Sequence, residues 1–264
     1  MAAQAGEKGM TAREVCERIS KASFEELPAL LDTLGADPRK QVASAVARAR
    51  RRLAKELAER ERVGQMYALM RELGGDGIVL GVDEVGRGPV AGPLTVAAVA
   101  LPAEPIVWGL NDSKKLSSER REELAARIAE VAIAIGIAHI EPATIDALGM
   151  AICLRRAMSL AIADAGVEPD AVLIDGNPVH VHPKETCIVK GDGHVACIAA
   201  ASIVAKVTRD AMMVAYDRQY PGYHLAECKG YGSAAHIAAI KERGLTPIHR
   251  ATFCENFVEK KNPV

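Results

Sequence analysis

The stretch "GIVLGVDEVGRGPVAGPLTVAAVAL", residues 77–101, decides the fold. Its two ends, GIVLGV (77–82) and PLTVAAVAL (93–101), are apolar, β-prone runs of strand length, and the segment between them is rich in glycine and proline. It predicts two neighbouring strands joined by a Gly-rich turn. Asp83 and Glu84 sit side by side where the first strand is expected to end. Neighbours on a strand face opposite ways, so both acids can serve one spot only if the strand stops there. Gly86 and Gly88 supply the freedom to turn off at once and swing Glu84 to the side of Asp83.

Downstream, helical and strand-like patterns alternate. SERREELAARIAEV (118–131) predicts a helix capped by Ser117 or Ser118, and AIAIGIAHI (132–140) a third strand. Residues 142–166 predict one long helix closed by Gly166, and AVLI (171–174) and ETCIVK (185–190) two short strands. Residues 195–220 predict a last long helix, stopped by Pro221-Gly222. Strands that first pair closely and are then separated by helices imply an α/β layer structure with a mixed sheet flanked by helices.

Upstream the character changes. Residues 1–74 carry 14 Lys/Arg against 11 Asp/Glu, whereas the remainder carries 19 against 23. The run RKQVASAVARARRRLAKELAERER (39–62) holds nine basic and three acidic residues, and Val42, Val46, Ala49, Leu53 and Leu57 give it one apolar helical stripe. GGDG (74–77) breaks the helical region. Residues 1–74 are therefore read as a helical, partly basic extension and 75–264 as the main domain. The basic run fits either a solvated helix face or an auxiliary nucleic-acid contact.

At 264 residues, with 49% apolar and 25% charged residues, the chain has the composition of a globular protein with a full core. No apolar run reaches membrane-spanning length, and the first twenty residues hold no signal-peptide core. The six cysteines are scattered without a C-x-x-C pair, which points to reduced thiols rather than a zinc site. The expected compartment is the cytoplasm.

Two further acids follow predicted strands: Asp175 in LIDGNP and Asp192 in VKGDGH. Either alone is explained as a turn former. Together with Asp83 and Glu84 they deliver four carboxylates to strand ends, where open α/β sheets bind ligands. Clustered carboxylates repel unless protonated or neutralised by cations. Hard oxygen ligands suit Mg²⁺ or Mn²⁺, and two such ions about 4 Å apart hydrolyse phosphodiesters.

Five ordered blocks, GVDEVGRGPVAGP, NDSKKLS, IDGN, KGDGHVACIAAASIVAKVTRD and KGYGSAAHIAAIKERGLTPIHRATF, resemble bacterial ribonuclease HII over roughly residues 78–257. The resemblance implies a ribonuclease H-like fold and an endonuclease that cleaves RNA in RNA–DNA hybrids. It also implies nicking of duplex DNA on the 5′ side of a single embedded ribonucleotide, the start of ribonucleotide excision repair. By position it makes Asp83, Glu84, Asp175 and Asp192 the metal-binding and catalytic acids, with Asp83 bridging two Mg²⁺ or Mn²⁺ ions and 3′-hydroxyl and 5′-phosphate ends as products. It makes Gly86, Arg87 and Gly88 the segment that recognises the ribose–deoxyribose junction, and Tyr231 the ring that stacks on the deoxyribose beyond it. Lys114 and Lys115 resemble phosphate clamps, a task Arg87 shares. The expected partners are RNA–DNA hybrid and ribonucleotide-containing duplex DNA, bound by a monomer without a membrane.

Lys206, Arg209 and Asp210 fall at helical spacings that suit structural pairing, and no chemistry is assigned to them. His236 and His249 lie in the matching C-terminal blocks, where satisfied structural histidines are the commoner outcome and action near the leaving group the rarer one. Gly86 to Ala91 also fits a relaxed G-x-G-x-x-A dinucleotide fingerprint, but that motif must open a helix and a strand is expected here. A type III-like ribonuclease H restricted to longer hybrids, which lacks the G-R-G element, and a non-catalytic nucleic-acid-binding module are the remaining alternatives.

Overall fold

The structure, a computed structural model, describes residues 9–257. It divides into two compact units, residues Met1–Gly64 and Gln65–Val264. The division falls inside a helix that itself continues to Gly74.

The first unit holds α1 (Ala12–Lys21), α2 (Leu27–Leu34) and the start of α3 (Lys40–Gly74). Thr11 and Glu14 close a reciprocal capping box that satisfies free N–H groups at the start of α1. Val15 and Ile19 of α1, the four leucines of α2, and Val42, Ala45, Val46 and Ala49 of α3 form one apolar core. The 3.6-residue period of α3 thus turns one stripe inward.

The second unit is built on a five-stranded sheet in the order β3-β2-β1-β4-β5. β1 (Val79–Val85), β2 (Leu94–Ala100) and β3 (Ala134–Ile140) are antiparallel neighbours, whereas β4 (Ala171–Asp175) and β5 (Glu185–Ile188) run parallel to β1. The mixed sheet agrees with the sequence. On one face Leu80, Val82, Val96 and Ala98 pack with residues of α5 (Pro142–Leu148) and α6 (Met150–Asp164). On the other lies α7 (Ala196–Gln219), whose small residues let it press against β1 at Gly81. A Cβ at Gly81 would run into the backbone of Cys197 and Ile198, so only glycine allows that approach. Short helices α8 (Leu225–Cys228), α9 (Ala234–Arg243) and α10 (Ala251–Cys254) complete the unit, and α4 (Ser118–Val131) starts at the expected cap, Ser117.

Two local expectations are overturned. β1 does not stop at Asp83: Asp83 opposes Ala97, Glu84 opposes Val96 and Val85 opposes Thr95. The antiparallel ladder with β2 outweighs the freedom of the following glycines, so the turn begins two residues later than expected. Glu84 is not swung round by the glycines, yet it stays close enough to Asp83 and Asp175 for their charges to interact. The single helix of 142–166 is broken at Gly149, whose φ of 77° is left-handed and ends α5.

Candidate active site

The register of the sheet sets the first contact between acids. β1 and β4 are parallel with Val82 beside Ile174, so the next step along both strands brings Asp83 to Asp175 at their carboxyl ends. Asp83 is only 6% exposed and faces α7, the side on which Gly81 also lies. Its Oδ1 accepts from the Glu84 N–H at 2.7 Å, and the Ser202 hydroxyl of α7 supplies a further hydrogen bond. Ser202 in turn meets Ser113 at 3.0 Å, so two buried hydroxyls support the carboxylate.

The other acids gather around this pair. Asp175 Oδ1 accepts from the Gly191 N–H at 2.6 Å, which ties β4 to the 3-10 turn Gly191–Gly193. That turn carries Asp192, 7% exposed. Burial, then the negative charges of Glu84 and Asp175, pushes the Asp83 carboxyl well above the usual carboxylate range. Burial likewise raises Glu84, offset in part by Arg87, and raises Asp192 with help from Asp112 and Asp175. Asp175 therefore interacts with each of Asp83, Glu84 and Asp192, although the four acids come from two strands and a turn.

Among the described residues, no three His, Cys, Asp or Glu side chains are already closed into a metal cage. The donor set still fits a hard divalent ion. Mg²⁺ binds through a few carboxylates and completes its shell with water and substrate phosphate oxygens, so a preformed cage is not required. Mutual repulsion among buried carboxylates is relieved by a cation, and no soft sulfur or imidazole ligand competes in the group.

Lys114 and Lys115 occupy a 3-10 turn, Ser113–Lys115, capped by Asp112. Lys114 Nζ lies 3.8 Å from Asp192. Burial would lower its pKa, but Asp112, Asp192, Asp83 and Asp175 together outweigh burial and hold it raised. Lys115 is exposed, and among the described residues its side chain meets none of the acids. The structure thus brings Lys114 to the carboxylates and leaves Lys115 outside.

The Gly86-Arg87-Gly88 segment follows directly, and the Arg87 guanidinium donates to Glu84 at 3.1 Å. Gly86 has φ 94°, and a Cβ there would meet the Arg209 side chain and the Pro93 carbonyl. Two fully buried arginines fasten the loop. Arg250 donates to the carbonyls of Gly86 (2.6 Å), Arg87 (3.0 Å) and Gly92 (2.8 Å). Arg209 donates to those of Pro93 (2.9 Å), Ala91 (3.0 Å) and Lys229 (2.8 Å). In a trans peptide the N–H points opposite to the C=O. With the Gly86 and Arg87 carbonyls turned to Arg250, the N–H groups of Arg87 and Gly88 face away from it, and among the described residues neither has a partner.

Tyr231 stands beside this loop: a Cβ placed on Gly88 would lie 4.0 Å from its ring. Its side chain is 48% exposed, but its backbone is held. His236 Nδ1 donates to the Tyr231 carbonyl at 2.9 Å. His249 Nδ1 accepts from the Thr246 N–H at 3.0 Å, so His249 Nε2 carries the proton and donates to His236 Nε2 at 3.1 Å. Burial, then His236, lowers the His249 pKa to about 4, and burial lowers that of His236. Both rings are neutral and fully bonded, which is the structural outcome. Lys206 pairs with Asp210 at 2.8 Å, and Arg209 is structural as well.

The sequence did not mark Ser113, Ser202, Asp112 or Arg250, and it marked Arg209 only as a structural residue. Ser202 had a visible signal, a lone hydroxyl in the apolar run ACIAAASIVA. Arg250 had none, because its partners are backbone carbonyls more than 150 residues away, and the helical spacing of Arg209 gave no sign of its carbonyl partners.

Comparison with known proteins identifies relatives of this chain. Residues 80–256 match the family model described as Ribonuclease HII, and residues 11–73 match that described as Ribonuclease HII N-terminal domain. A Ribonuclease HII of Ruminiclostridium cellulolyticum is 41% identical over 253 residues, 95% of this chain and 99% of the relative. One of Enterococcus faecalis is 46% identical over 179 residues, 68% of this chain and 70% of the relative. The crystal structure of the ribonuclease H2 from Pyrococcus horikoshii OT3 superposes with a TM-score of 0.58 at 26% identity, covering 70% of this chain and 99% of that one.

Proposed function

Because the chain belongs to the ribonuclease HII family, metal-dependent endoribonucleases of the ribonuclease H type, we propose that it nicks duplex DNA 5′ of single embedded ribonucleotides and cleaves the RNA of longer hybrids. The observation that carries this reading is the 3.1 Å ion pair between Arg87 and Glu84, which joins the acid cluster to the junction-reading loop. Recognition and cleavage then occur within one side-chain length of each other.

Asp83, Glu84, Asp175 and Asp192 hold two Mg²⁺ or Mn²⁺ ions, with Asp83 central because it lies beside both Glu84 and Asp175. When bound, the ions supply an activated water and stabilise the departing 3′-oxygen, leaving 3′-hydroxyl and 5′-phosphate ends. Ser202 keeps the Asp83 carboxylate oriented. The outward N–H groups of Arg87 and Gly88 meet the ribose and its flanking phosphate, where a 2′-hydroxyl accepts what a deoxyribose cannot. Tyr231 stacks on the neighbouring deoxyribose, a flat contact that an added hydroxyl would disturb. Lys114, and more weakly Lys115, clamps phosphate once the ions take over the negative charge that Lys114 now faces. Catalysis resides in residues 75–264, and the monomer suffices.

The deciding experiment incubates the protein with a DNA duplex containing one ribonucleotide, with Mg²⁺, and maps the ends. A single nick 5′ of the ribonucleotide is expected. Cleavage confined to long hybrids would replace this reading with a type III-like activity, and no cleavage with either ion would leave a binding module.

A further inference from the structure

We infer that α3 carries a phosphate-binding stripe, formed by Lys40, Arg48, Arg51 and Lys55, that holds the backbone of duplex nucleic acid. The inference concerns the same substrate class as the proposed nicking activity, but it makes no use of the cleavage site.

Not all basic residues of the run 39–62 are available for such a task. Arg39 is engaged by Asp37 at 2.6 Å. Arg52 donates to the carbonyls of Ser20, Ile19 and Ala22 at the end of α1. Arg60 lies over the Phe24 ring and pairs with Glu56, and Arg62 pairs with Glu59. These four serve the fold of the first unit, and the exposed Arg50 falls outside the arc of the stripe.

The remaining stripe differs in kind. Lys40, Arg48, Arg51 and Lys55 are all exposed. Among the described residues, Lys40, Arg51 and Lys55 form no ion pair or side-chain hydrogen bond, and Arg48 touches only the Ser44 hydroxyl at 3.1 Å. At 3.6 residues per turn the four fall within roughly an 80° arc. That arc is opposite Val42, Val46, Ala49 and Leu53, the face turned toward the core. Ser44 lies within the arc, and the exposed Gln41, Ala47 and Ala54 flank it, so no large apolar side chain hinders close approach. From Lys40 to Lys55 the stripe spans about 22 Å, the axial length of about six phosphates along one strand.

Local stability does not explain it. The first turn of α3 contains no acid, and Lys40 sits there against the helix dipole, which favours anions at that end. Residues 39–55 hold seven basic side chains and no acidic one. The 75–264 segment, with 19 Lys/Arg against 23 Asp/Glu, offers a polyanion no net attraction of its own. A row of free cations without aromatic or large apolar neighbours suits a regular phosphate chain, bound without sequence preference, better than it suits a protein surface, which is recognised through an apolar centre.

The test uses the full chain and a plain DNA duplex lacking ribonucleotides, so cleavage plays no part. Binding is measured against salt for the wild type and for the Arg48→Gln/Arg51→Gln/Lys55→Gln variant, whose glutamines keep helix propensity. Losing three phosphate contacts lowers the slope of log K against log salt by about 2.7, so between 50 and 200 mM salt the wild type loses about 40-fold more affinity than the variant. Arg51→Glu alone is expected to act in the same direction, with unchanged helical circular dichroism. Equal slopes and affinities overturn the inference, as does loss of polyglutamate binding with duplex binding intact, which would mark an acidic protein as the partner. A wild type that binds duplex through this stripe yet fails to cut would refute the proposed activity alone.

Discussion

Arg250 and Gly86 lie 164 positions apart in the chain, and the guanidinium of the first donates to the carbonyl of the second at 2.6 Å. Burial, aided by Arg209, brings the Arg250 pKa down to about 10, so the group keeps its charge at neutral pH without a carboxylate partner. Replacing it by methionine leaves the Gly86, Arg87 and Gly92 carbonyls without donors. A loss on the order of 3 kcal/mol or more is expected, since a buried unpaired carbonyl costs about 1–3 kcal/mol. Arg250→Lys should recover only part, because one ammonium cannot span the fork. A melting temperature unchanged in Arg250→Met would show that the loop does not depend on this anchor.

Asp83→Asn is expected to abolish cleavage and also to stabilise the metal-free protein. The carboxyl is held well above its ordinary pKa by burial, so ionising it at neutral pH costs folding energy that the amide does not incur. A gain on the order of 1 kcal/mol corresponds to about 2–4 °C in melting temperature for a chain of this size. Retention of more than a few per cent of the wild-type rate would contradict the role assigned to Asp83.

The same shifts fix the sign of metal stabilisation. A carboxylate whose folded pKa is raised contributes stability below its unfolded pKa, about 4, and loses it as pH rises through the folded value. Asp83, Glu84 and Asp192 all shift this way. Mg²⁺ or Mn²⁺ should therefore raise the melting temperature more at pH 8 than at pH 5. A larger gain at pH 5, read by calorimetry, would sink the assignment of these acids as the ion-binding set.

His249 behaves in the opposite sense. Its pKa is lowered to about 4 by burial, so its stabilising contribution is complete above about 6.5 and is lost as pH falls toward 4. That loss amounts to about 3 kcal/mol. His249→Gln, which can still accept from Thr246 and donate to His236, should flatten the melting curve over this window. An unaltered pH dependence would place the titration elsewhere.

Tyr231→Ala is expected to impair nicking at an isolated ribonucleotide while changing the melting temperature by about 1 °C or less, since the ring is half exposed. The measurement compares initial rates on a single-ribonucleotide duplex with the thermal midpoint. Equal losses in both would make the tyrosine a packing residue.

Much of this site could be read from the chain before its fold was known. Period-two and period-3.6 apolar patterns locate β1, β2, β3, α4 and α7; Asp83, Glu84 and Asp175 are visible near strand ends, and Asp192 lies on the turn after β5. What failed was local competition. The glycines after Glu84 suggested an early turn, but the ladder to β2 carries through Val85, because cross-strand hydrogen bonds outweigh backbone freedom. Gly149 was hidden inside an otherwise continuous helical period. Arg250 left no trace, and Arg209 showed only its helical spacing, since a side chain that bonds distant carbonyls imposes no spacing on its neighbours.

The Arg250 anchor also bears on where the molecule can be cut. A fragment ending shortly before residue 250 would retain every acid assigned to the ions, together with the whole sheet. It would nonetheless release the backbone of Gly86 and Arg87, and with it the outward N–H groups proposed to face a sugar. Such a piece should hold cations yet no longer tell ribose from deoxyribose, so the smallest faithful portion of this chain reaches past its last strand by more than sixty residues.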